Sequence, residues 1–443
     1  MEISNWGNFP RVDAEIRTCL RPDALGRIIA EPGEIIPRGL GRCYGDSSLC
    51  GTVLSTLRLD KMIGFRETDG LLECEAGVSL AEVLDAFVPR GWFLPVTPGT
   101  KFVTVGGAIA SDVHGKNHHK SGSFSSQVVR MDVMLSDGQV VSCSRDENAD
   151  LFRATCGGMG LTGVILRAAF RLIPIETAFI RQETVKAQNL DEIMKLFRES
   201  ADWTYTVAWI DCLSRGGAKG RSILIRGEHA ARADISASRC AGNPLELPHK
   251  REFNVPFHLP GFILNGISAR AFNFSYFNKS WAERSASVVD YDSFFFPLDM
   301  IRNWNRIYGR DGFLQYQFVL PLKNSREGLE RIFEEISRGP HVPFLTVLKL
   351  FGPREGEGII SFPMEGYTIA LDFPIRDGIF PFMDRLDELV LYFGGRHYLT
   401  KDARMSRKVF DEGYPAAARF RDLKSRFDVN RKFRSLQSKR VGI

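Results

Sequence analysis

The stretch "PRGLGRCYGDSS", residues 37–48, follows the apolar run "GEIIP" and holds Gly39, Gly41 and Gly45. Glycines at this density free the backbone to turn its N–H groups toward one point, and such a nest binds anions, typically phosphate. A second glycine-rich segment, "PVTPGTKFVTVGGAIASDVHG", covers residues 95–115. Two phosphate-friendly loops in one part of the chain indicate a dinucleotide cofactor with a pyrophosphate bridge.

The composition is that of a folded globular protein with more than one core. The chain has 443 residues, 44% of them hydrophobic and 25% charged, which predicts two domains and excludes disorder. A net charge of +5 without a basic-aromatic pattern excludes a nucleic-acid partner. We expect no signal peptide and no membrane-spanning segment, and the eight cysteines, none in a C-x-x-C pair, fit free thiols in a reducing cytoplasm.

Local patterns predict an α+β region up to about residue 176. Residues 24–60 alternate short apolar runs with Gly/Pro turns, which predicts strands. A helix is expected from Ser79 to about Val88. "VVRMDVMLSDGQVVSCS" predicts a hairpin with Asp-Gly at its turn, "NADLFRAT" a helix and "GVILRAAFRLIPI" a long strand.

A second region begins with the amphipathic helix in "TVKAQNLDEIMKLFRES". Three later strands carry isolated polar residues on one face: "LQYQFVLP" with Gln315 and Gln317, "TVLKLFG" with Lys349, and "YTIALDFP" with Thr368, Ala370 and Asp372. An apolar core does not need these side chains. Either this face of the sheet lines a pocket, or it is solvated.

Two further segments allow alternative interpretations. Residues 252–280 are rich in Phe, Pro and Gly, which fits either a flexible lid over an apolar ligand or a packed irregular segment. The tail 421–443 has eight basic and two acidic residues, which fits either a solvated helix face or contact with an anionic membrane surface. For the second reading we expect lipid phosphates to meet Arg431, Lys432, Arg434, Lys439 and Arg440.

Two other kinds of site are considered and rejected. His114, His118 and His119 resemble a zinc pattern, but Gly115 and Asn117 disfavour a helix there, and no acidic or cysteine ligand is near. "GGMGLTG" (Gly158, Gly160, Gly163) is formally G-x-G-x-x-G. It follows a helical stretch and precedes a strand, which is the reverse of a Rossmann site.

Six segments carry a family resemblance: "RGLGRCYGD", "PGTKFVTVGGAIASDVHGKNHHKSGSF", "LFRATCGGMGLTG", "GFLQYQFVLP", "KLFG" and "YLTKDARM". In these, the chain resembles the flavin oxidoreductases with the vanillyl-alcohol-oxidase type of FAD domain. Within that family it is similar to the flavoprotein half of a polyprenyl-phosphoribose epimerase. The resemblance runs from residue 38 to 405. It implies an α+β, two-domain FAD fold: residues 1–176 for FAD, 177–395 with a mixed or antiparallel sheet for substrate, and 396–443 returning to the FAD domain.

The resemblance also implies which residues contact FAD. The first loop would hold the pyrophosphate, and the second loop, the glycine-rich crossover and the returning segment would contact the rest of the cofactor. Many relatives tether FAD through a histidine in the first loop, where this chain has Cys43 and Tyr44, so we expect noncovalent FAD. The implied set is Pro37, Arg38, Gly39, Leu40, Gly41, Arg42, Cys43, Tyr44, Gly45, Asp46, Ser47, Gly99, Thr104, Val105, Gly106, Gly107, Ser111, Asp112, Val113, His114, Ile165 and Tyr398.

The implied reaction is oxidation of a secondary sugar hydroxyl, the 2′-OH of a polyprenyl-phosphoryl pentose. Lys401 is expected near the reacting carbon, as a base or a polarising cation. Its alternative role is a surface ion pair with Asp402. Gln317 and Lys349 are expected to bind sugar hydroxyls or phosphate, with His114 beside the flavin and Lys116 toward the substrate. His118 and His119 are expected to be structural.

Partners and alternatives follow from the same resemblance. A polyprenyl-phosphoryl sugar is the expected substrate, an NAD(P)-dependent reductase the expected partner, and the inner face of the cell membrane a place of peripheral contact. Mycobacterial members, by resemblance, carry Asn and Cys where this chain has Thr368 and Ala370, so the sugar is left open. Two other readings stay open: an oxidase of free sugar alcohols or aldonolactones, and a non-enzymatic FAD-fold subunit that serves a reductase.

Overall fold

The computed structural model describes residues 1–18, 22–235, 243–247, 252–279 and 282–443. Cys19, Cys240 and the last residue of the expected lid, Ser280, lie outside these residues. The six described cysteines are free thiols, as expected. Among the described helices, none is both long enough and apolar enough to cross a membrane.

The strands of the described residues are, in chain order, β1 (Glu2–Ser4), β2 (Arg11–Asp13), β3 (Glu15–Thr18), β4 (Ile36–Arg38), β5 (Thr52–Ser55), β6 (Met62–Arg66), β7 (Leu71–Glu75), β8 (Trp92–Phe93), β9 (Val128–Met134), β10 (Val140–Ser144), β11 (Val164–Arg171), β12 (Ile173–Pro174), β13 (Phe179–Ala187), β14 (Tyr205–Ile210), β15 (Ser222–His229), β16 (Phe253–Asn254), β17 (Arg284–Asp290), β18 (Ile301–Arg302), β19 (Phe313–Pro321), β20 (Thr346–Phe351), β21 (Gly366–Pro374) and β22 (Arg396–His397).

The α-helices are α1 (Pro22–Ala30), α2 (Leu80–Phe87), α3 (Val105–Ala110), α4 (His118–Ser121), α5 (Ala149–Thr155), α6 (Leu190–Glu199), α7 (Gly266–Asn278), α8 (Tyr291–Phe295), α9 (Leu322–Arg338), α10 (Ile379–Tyr392), α11 (Arg407–Gly413), α12 (Ala417–Phe427) and α13 (Leu436–Val441). Short 3₁₀ turns add Gly261–Ile263 and Leu399–Lys401 to the elements used below.

Two sheets organise the first part of the chain. An antiparallel five-stranded sheet has the order β10-β9-β11-β7-β6, and a parallel three-stranded sheet has the order β3-β5-β4. The first glycine-rich loop leaves β4 at Arg38 and returns to β5 at Thr52. The structure is therefore α+β, as expected.

An antiparallel eight-stranded sheet follows, in the order β17-β13-β15-β14-β20-β21-β19-β22. Helices α6, α9 and α10 pack on one face of it, over a core that includes Leu329, Ile332, Phe318 and Ile369. The β19–β21 register places Gln317 opposite Ala370 and Gln315 opposite Asp372. The polar residues therefore share the face that the helices leave uncovered.

Most local predictions are confirmed, and one is wrong. Ser79 caps α2 and accepts a hydrogen bond from the Glu82 N–H, and the hairpin pairs β9 with β10. Residues 24–30, predicted as strand, belong to the helix α1. Leu25, Ile28 and Ile29 recur at helical spacing, and Leu25 and Ile29 are buried, so one apolar stripe drives the helix. Burial of this stripe against the rest of the protein therefore decides for a helix, although the short apolar run had indicated a strand.

The C-terminal tail uses its cations inside the protein. Of the five basic residues expected to meet lipid, four are engaged: Lys432 with the Glu31 carbonyl, Arg434 with the Ile443 carbonyl, Lys439 with Glu34, and Arg440 with Asp46 and Asp402. The tail thereby fastens α13 to the first glycine-rich loop. Four of the five cations are therefore committed to contacts within the protein, while Arg431 and Lys439 remain exposed.

Candidate active site

One cavity of about 570 Å³ connects the glycine-rich loops with the uncovered face of the eight-stranded sheet. Its wall includes most of the residues that the sequence implied for the cofactor: Pro37–Tyr44, Ser47, Gly99, Thr104, Gly106, Gly107, Ser111, Val113, His114, Ile165 and Tyr398. The same wall includes the five expected for catalysis, namely Lys116, His114, Gln317, Lys349 and Lys401. Residues from distant parts of the chain thus meet at one site.

The first loop is packed so closely against its neighbours that a side chain would not fit at two of its positions. A Cβ on Gly39 would lie 2.3 Å from Oγ1 of Thr104, and one on Gly45 would lie 1.7 Å from the Asp402 carbonyl oxygen. Thr104 in turn accepts a hydrogen bond from the Gly107 N–H and starts α3. The two glycine-rich segments are therefore packed together along one side of the cavity.

Four of the residues implied for the cofactor do not line the cavity. Gly45 packs against Asp402, and Val105 is in the hydrophobic core. Asp46 accepts a hydrogen bond from Arg440 at 2.6 Å. Asp112 accepts from the Ser125 N–H at 3.0 Å and from the Ser361 hydroxyl at 2.6 Å. Each supports the loop that carries it.

A chain of hydrogen bonds orients His114. The Thr368 hydroxyl donates to the Phe318 carbonyl and so accepts from the Gln317 amide at 3.3 Å. The second amide hydrogen of Gln317 then points to Nε2 of His114, 3.0 Å away. Burial lowers the pKa of His114 well below its usual value, and the nearby lysines lower it further. The ring is therefore neutral, with Nε2 as acceptor and the proton on Nδ1.

Three lysines share the cavity wall, one from each of three segments. Desolvation lowers the pKa of Lys116 to about 7, of Lys349 to about 8 and of Lys401 to about 7. The positive charge of Lys349 also lowers the pKa of the other two. Lys116 donates to the Phe294 carbonyl, and Lys401 lies 3.7 Å from the centre of the Tyr44 ring. Such a cluster favours an anion and leaves a fraction of the lysines neutral at physiological pH.

Lys401 is not the surface ion pair that its alternative role required. Asp402 pairs with Arg440 at 3.0 Å and accepts hydrogen bonds from the backbone N–H groups of Arg404 and Met405. The 3₁₀ turn Leu399–Lys401 directs the two neighbours to different places. Asp402 faces the tail, and Lys401 faces the cavity.

Asp372 is a cavity residue to which no role had been assigned. Burial raises its pKa to about 6, against the hydrogen bonds from Gln315 and Tyr308 and the charge of Lys401, which lower it. Gln315 donates to it at 2.6 Å. The alternation in "YTIALDFP" put Asp372 on the same face as Thr368, and this was the signal that could have found it. Trp209, on β14, lines the cavity too, but its own segment carried no signal.

The other two histidines lie behind the cavity wall. Both ring nitrogens of His118 lack a partner among the described residues, and the ring lies 4.3 Å from that of Phe351. Nε2 of His119 is 2.8 Å from the Trp203 carbonyl oxygen. Neither lines the cavity.

The residues present fit FAD. The glycine backbones of the first loop line the cavity, and Arg38 and Arg42 beside them add positive charge. In the same cavity wall, Nδ1 of His114 is buried and has no partner among the described residues. A buried N–H group without a partner is rare, and a polar edge of a bound ring system would satisfy it.

Comparisons with known proteins agree with this geometry. Residues 25–144 match the family model described as FAD binding domain. The chain is 36% identical to decaprenylphosphoryl-beta-D-ribose oxidase of Mycolicibacterium smegmatis, over 99% of this chain and 97% of that protein. It is 24% identical to L-gulonolactone oxidase of Mus musculus, over 80% and 77% of the two chains.

The match to the FAD-binding model covers both glycine-rich loops, and the match to the mycobacterial enzyme covers every segment that lines the cavity. The cofactor is FAD, and the chain is an oxidoreductase acting on CH–OH groups. It therefore belongs to the vanillyl-alcohol-oxidase-type family of FAD-dependent oxidoreductases, in the group that contains decaprenylphosphoryl-beta-D-ribose oxidase.

Proposed function

We propose that this protein oxidises the 2′-hydroxyl of a polyprenyl-phosphoryl pentose to a 2-keto product, as the oxidase half of an epimerase. The observation that carries the proposal is the placement of Lys116, Lys349 and Lys401 around one cavity that also contains the FAD loops. An alcohol oxidase of neutral substrates needs one base. The wall holds these three lysines and the two arginines of the first loop, against the two carboxylates of Asp299 and Asp372, and this excess of positive charge suits a substrate that brings its own negative charge.

The first loop and the second loop hold FAD, which supplies the acceptor for the hydride that leaves the sugar carbon. We propose that FAD is held without a covalent bond, because the first loop offers Cys43 and Tyr44 and no histidine. Arg38 and Arg42 face the cavity beside these glycines and suit the pyrophosphate charge.

Lys401 takes the proton of the sugar hydroxyl. With a pKa of about 7 it is partly neutral at physiological pH, so Nζ has a lone pair to accept the proton as the hydride leaves. Asp372 lies within range to act electrostatically on Lys401 and supports the ammonium that results. The ring of Tyr44, 3.7 Å below, stabilises the same cation.

The remaining residues orient the sugar and its phosphate. Both amide hydrogens of Gln317 are used in hydrogen bonds to His114 and Thr368. Its carbonyl oxygen therefore remains to accept a hydrogen bond from a sugar hydroxyl. Lys349 is the cation for the phosphate, and Lys116, held by the Phe294 carbonyl, lies toward the substrate. Thr368 and Ala370 lie in the same wall and would decide which pentose fits.

We also propose the division of the chain and its partners. A FAD domain (residues 1–176), a substrate domain (177–395) and a returning segment (396–443) are supported by the separate five- and eight-stranded sheets and by a hydrophobic cluster that joins Ile36 and Val53 to Phe410 and Phe420. A keto product must be reduced to complete an epimerisation, so the partner is an NAD(P)-dependent reductase. The substrate's lipid requires contact with the inner face of the cell membrane from the cytoplasm.

Anaerobic bleaching of the bound flavin tests the substrate. We expect bleaching by a short-chain polyprenyl-phosphoryl ribose or arabinose, and none by the free pentoses, by polyols or by aldonolactones at the same concentration. Bleaching by polyols or lactones alone would favour the free-sugar oxidase. Flavin that no alcohol bleaches would favour the non-enzymatic subunit.

A further inference from the structure

The exposed aromatic side chains of this protein are concentrated in one segment. All four exposed phenylalanines among the described residues lie between positions 253 and 274, and two isoleucines join them: Phe253, Phe257, Phe262, Ile263, Ile267 and Phe274. We call these six side chains the apolar patch. Phe262 is 76% exposed and Ile267 is 82% exposed. A concentration of this kind marks an interaction surface rather than ordinary surface composition.

The segment that carries the patch is anchored to the protein. Nη1 of Arg306 donates to the carbonyl oxygens of Val255 and Pro256, at 3.1 and 2.9 Å. Arg376 donates to those of Gly261 and Leu264, and Leu264 is buried against Trp304. The exposure of the patch is thus a property of a fixed backbone. Of the two readings of this segment, a flexible lid or a packed irregular segment, the anchored backbone supports the second, and the exposed side chains are a separate feature.

Helix α7 connects the patch with the active-site cavity. Its inner face is built from Ala269 and Asn273, which are buried, and from Phe272 and Tyr276, which line the cavity. Its outer face carries Ile267 and Phe274, two turns apart, both exposed. A helix with apolar side chains on both faces exposes one apolar face to water unless another surface covers it. The outer face is therefore exposed apolar surface on the same helix that lines the cavity.

The segment that carries the patch is poor in carboxylates. Residues 252–279 contain a single carboxylate, Glu252, which is paired with Arg302. Arg270 on α7 and Lys279 directly after it are exposed, whereas on the neighbouring segments exposed Arg310 and Arg376 are each followed by an exposed aspartate. Two exposed cations beside an apolar centre, on a segment whose one carboxylate is already paired, complement a phospholipid surface, whose phosphates lie outside its acyl chains.

We propose that the apolar patch inserts into the headgroup region of a lipid bilayer and holds the cavity mouth against the membrane, so that the lipid-linked substrate enters past α7 without leaving the bilayer. The proposal rests on the proposed function for the identity of the substrate, and it replaces the C-terminal tail as the docking surface. A bilayer suits the patch better than a protein partner, because the patch lies on the segment whose helix α7 also lines the cavity for a lipid-linked substrate.

Cosedimentation with vesicles tests the proposal. The patch variant carries Phe257→Ser, Phe262→Ser, Ile267→Ser and Phe274→Ser, none of which lines the cavity. The control carries Ile63→Ser, Val140→Ser, Tyr392→Ser and Val429→Ser, exposed apolar residues outside the patch. On equimolar phosphatidylglycerol and phosphatidylcholine, we expect the patch variant to partition at least about tenfold more weakly than the wild type, and the control equally well. Binding should persist near 1 M salt, where the Debye length is only about 3 Å.

A second measurement does not depend on the fourfold variant. In Phe262→Trp, tryptophan emission should shift to the blue when vesicles are added, and lipids brominated on their acyl chains should quench it. Tyr392→Trp, on α10, should show neither effect. The absence of a blue shift would overturn the proposal, and so would equal vesicle binding by the wild type and the patch variant. The proposal would also fail if the wild type did not bind vesicles and the patch bound a second copy or another protein instead.

Turnover separates this proposal from the proposed function. With substrate embedded in vesicles, the patch variant should lose at least about tenfold in kcat/KM, and with a soluble short-chain analogue it should match the wild type. If neither substrate bleaches the flavin of the wild type but vesicle binding depends on the patch, the substrate assignment fails and the docking surface stands. If both substrates are oxidised and the patch variant oxidises each as fast as the wild type, the substrate assignment stands and the docking surface fails.

Discussion

The side-chain nitrogen of Lys401 lies 3.7 Å from the centre of the Tyr44 ring, although Lys401 belongs to the returning C-terminal segment and Tyr44 to the first glycine-rich loop. The contact places a lysine with a lowered pKa directly beside this FAD loop. Asp372, on the sheet, acts on the same lysine through its charge. Cofactor loop, substrate sheet and C-terminal segment therefore meet at one nitrogen atom.

Replacing Lys401 should separate catalysis from cofactor binding. Lys401→Met removes the proton acceptor and keeps the length of the side chain, so we expect normal FAD content and at least about a 100-fold slower bleaching by substrate. The rate of anaerobic bleaching in a stopped-flow instrument measures the effect. Lys408→Met, at an exposed site on α11, should be normal. Near-normal bleaching by Lys401→Met would remove this residue from the mechanism.

The pH dependence should follow the lysines. Lys401 must be neutral to accept a proton, so kcat/KM should rise as the pH increases through about 7. Lys349 must be charged to bind phosphate, so kcat/KM should fall above about 8. The two groups act on each other, and the limbs of the profile therefore belong to the pair. A profile that is flat from about pH 6 to about pH 9 would contradict this assignment.

Lys349→Met should weaken substrate binding without destabilising the fold. Among the described residues, no hydrogen bond or ion pair of the Lys349 ammonium is found, and desolvation lowers its pKa from 10.5 to about 8. The charged form is therefore unfavourable in the fold below pH 8, and that penalty disappears as the pH rises toward 10.5, because the unfolded chain binds more protons in that interval.

Urea unfolding at equal FAD saturation measures the difference. At pH 7 the Lys349→Met variant should be no less stable than the wild type, and the wild type should gain on it as the pH rises from about 8 to about 10.5. KM for the phosphorylated substrate should increase at least about tenfold. Lower stability together with an unchanged KM would show that Lys349 has a structural role.

Arg440 should be essential for the junction between tail and cofactor loop. It donates to Asp46 at 2.6 Å and to Asp402 at 3.0 Å, and both carboxylates are almost inaccessible to solvent. Arg440→Met leaves them unpaired, which costs about 3–5 kcal/mol of unfolding free energy for a buried pair and should lower FAD retention. Lys439→Met breaks only the half-exposed pair with Glu34 and should cost no more than about 1 kcal/mol. Equal effects of both substitutions would argue against the junction.

FAD should be released by denaturation. The first loop carries no histidine, so acid precipitation is expected to leave all of the flavin in the supernatant and a colourless pellet. Absorbance of both fractions measures this. Flavin that stays with the pellet would show a covalent link and would direct attention to Cys43 or Tyr44.

The sequence by itself determined the elements whose signals are local. Glycine spacing predicted the two loops, because a close backbone approach excludes a Cβ. Alternation predicted the polar face of the sheet, because successive side chains of a strand point to opposite faces. Only the tertiary structure decided what depends on distant residues. It made residues 24–30 a helix by burying Leu25 and Ile29, brought Asp372 near Lys401, and turned the basic tail inward through Arg440. These outcomes depend on burial and charge pairing between segments far apart in the chain, and no short window of sequence contains both partners.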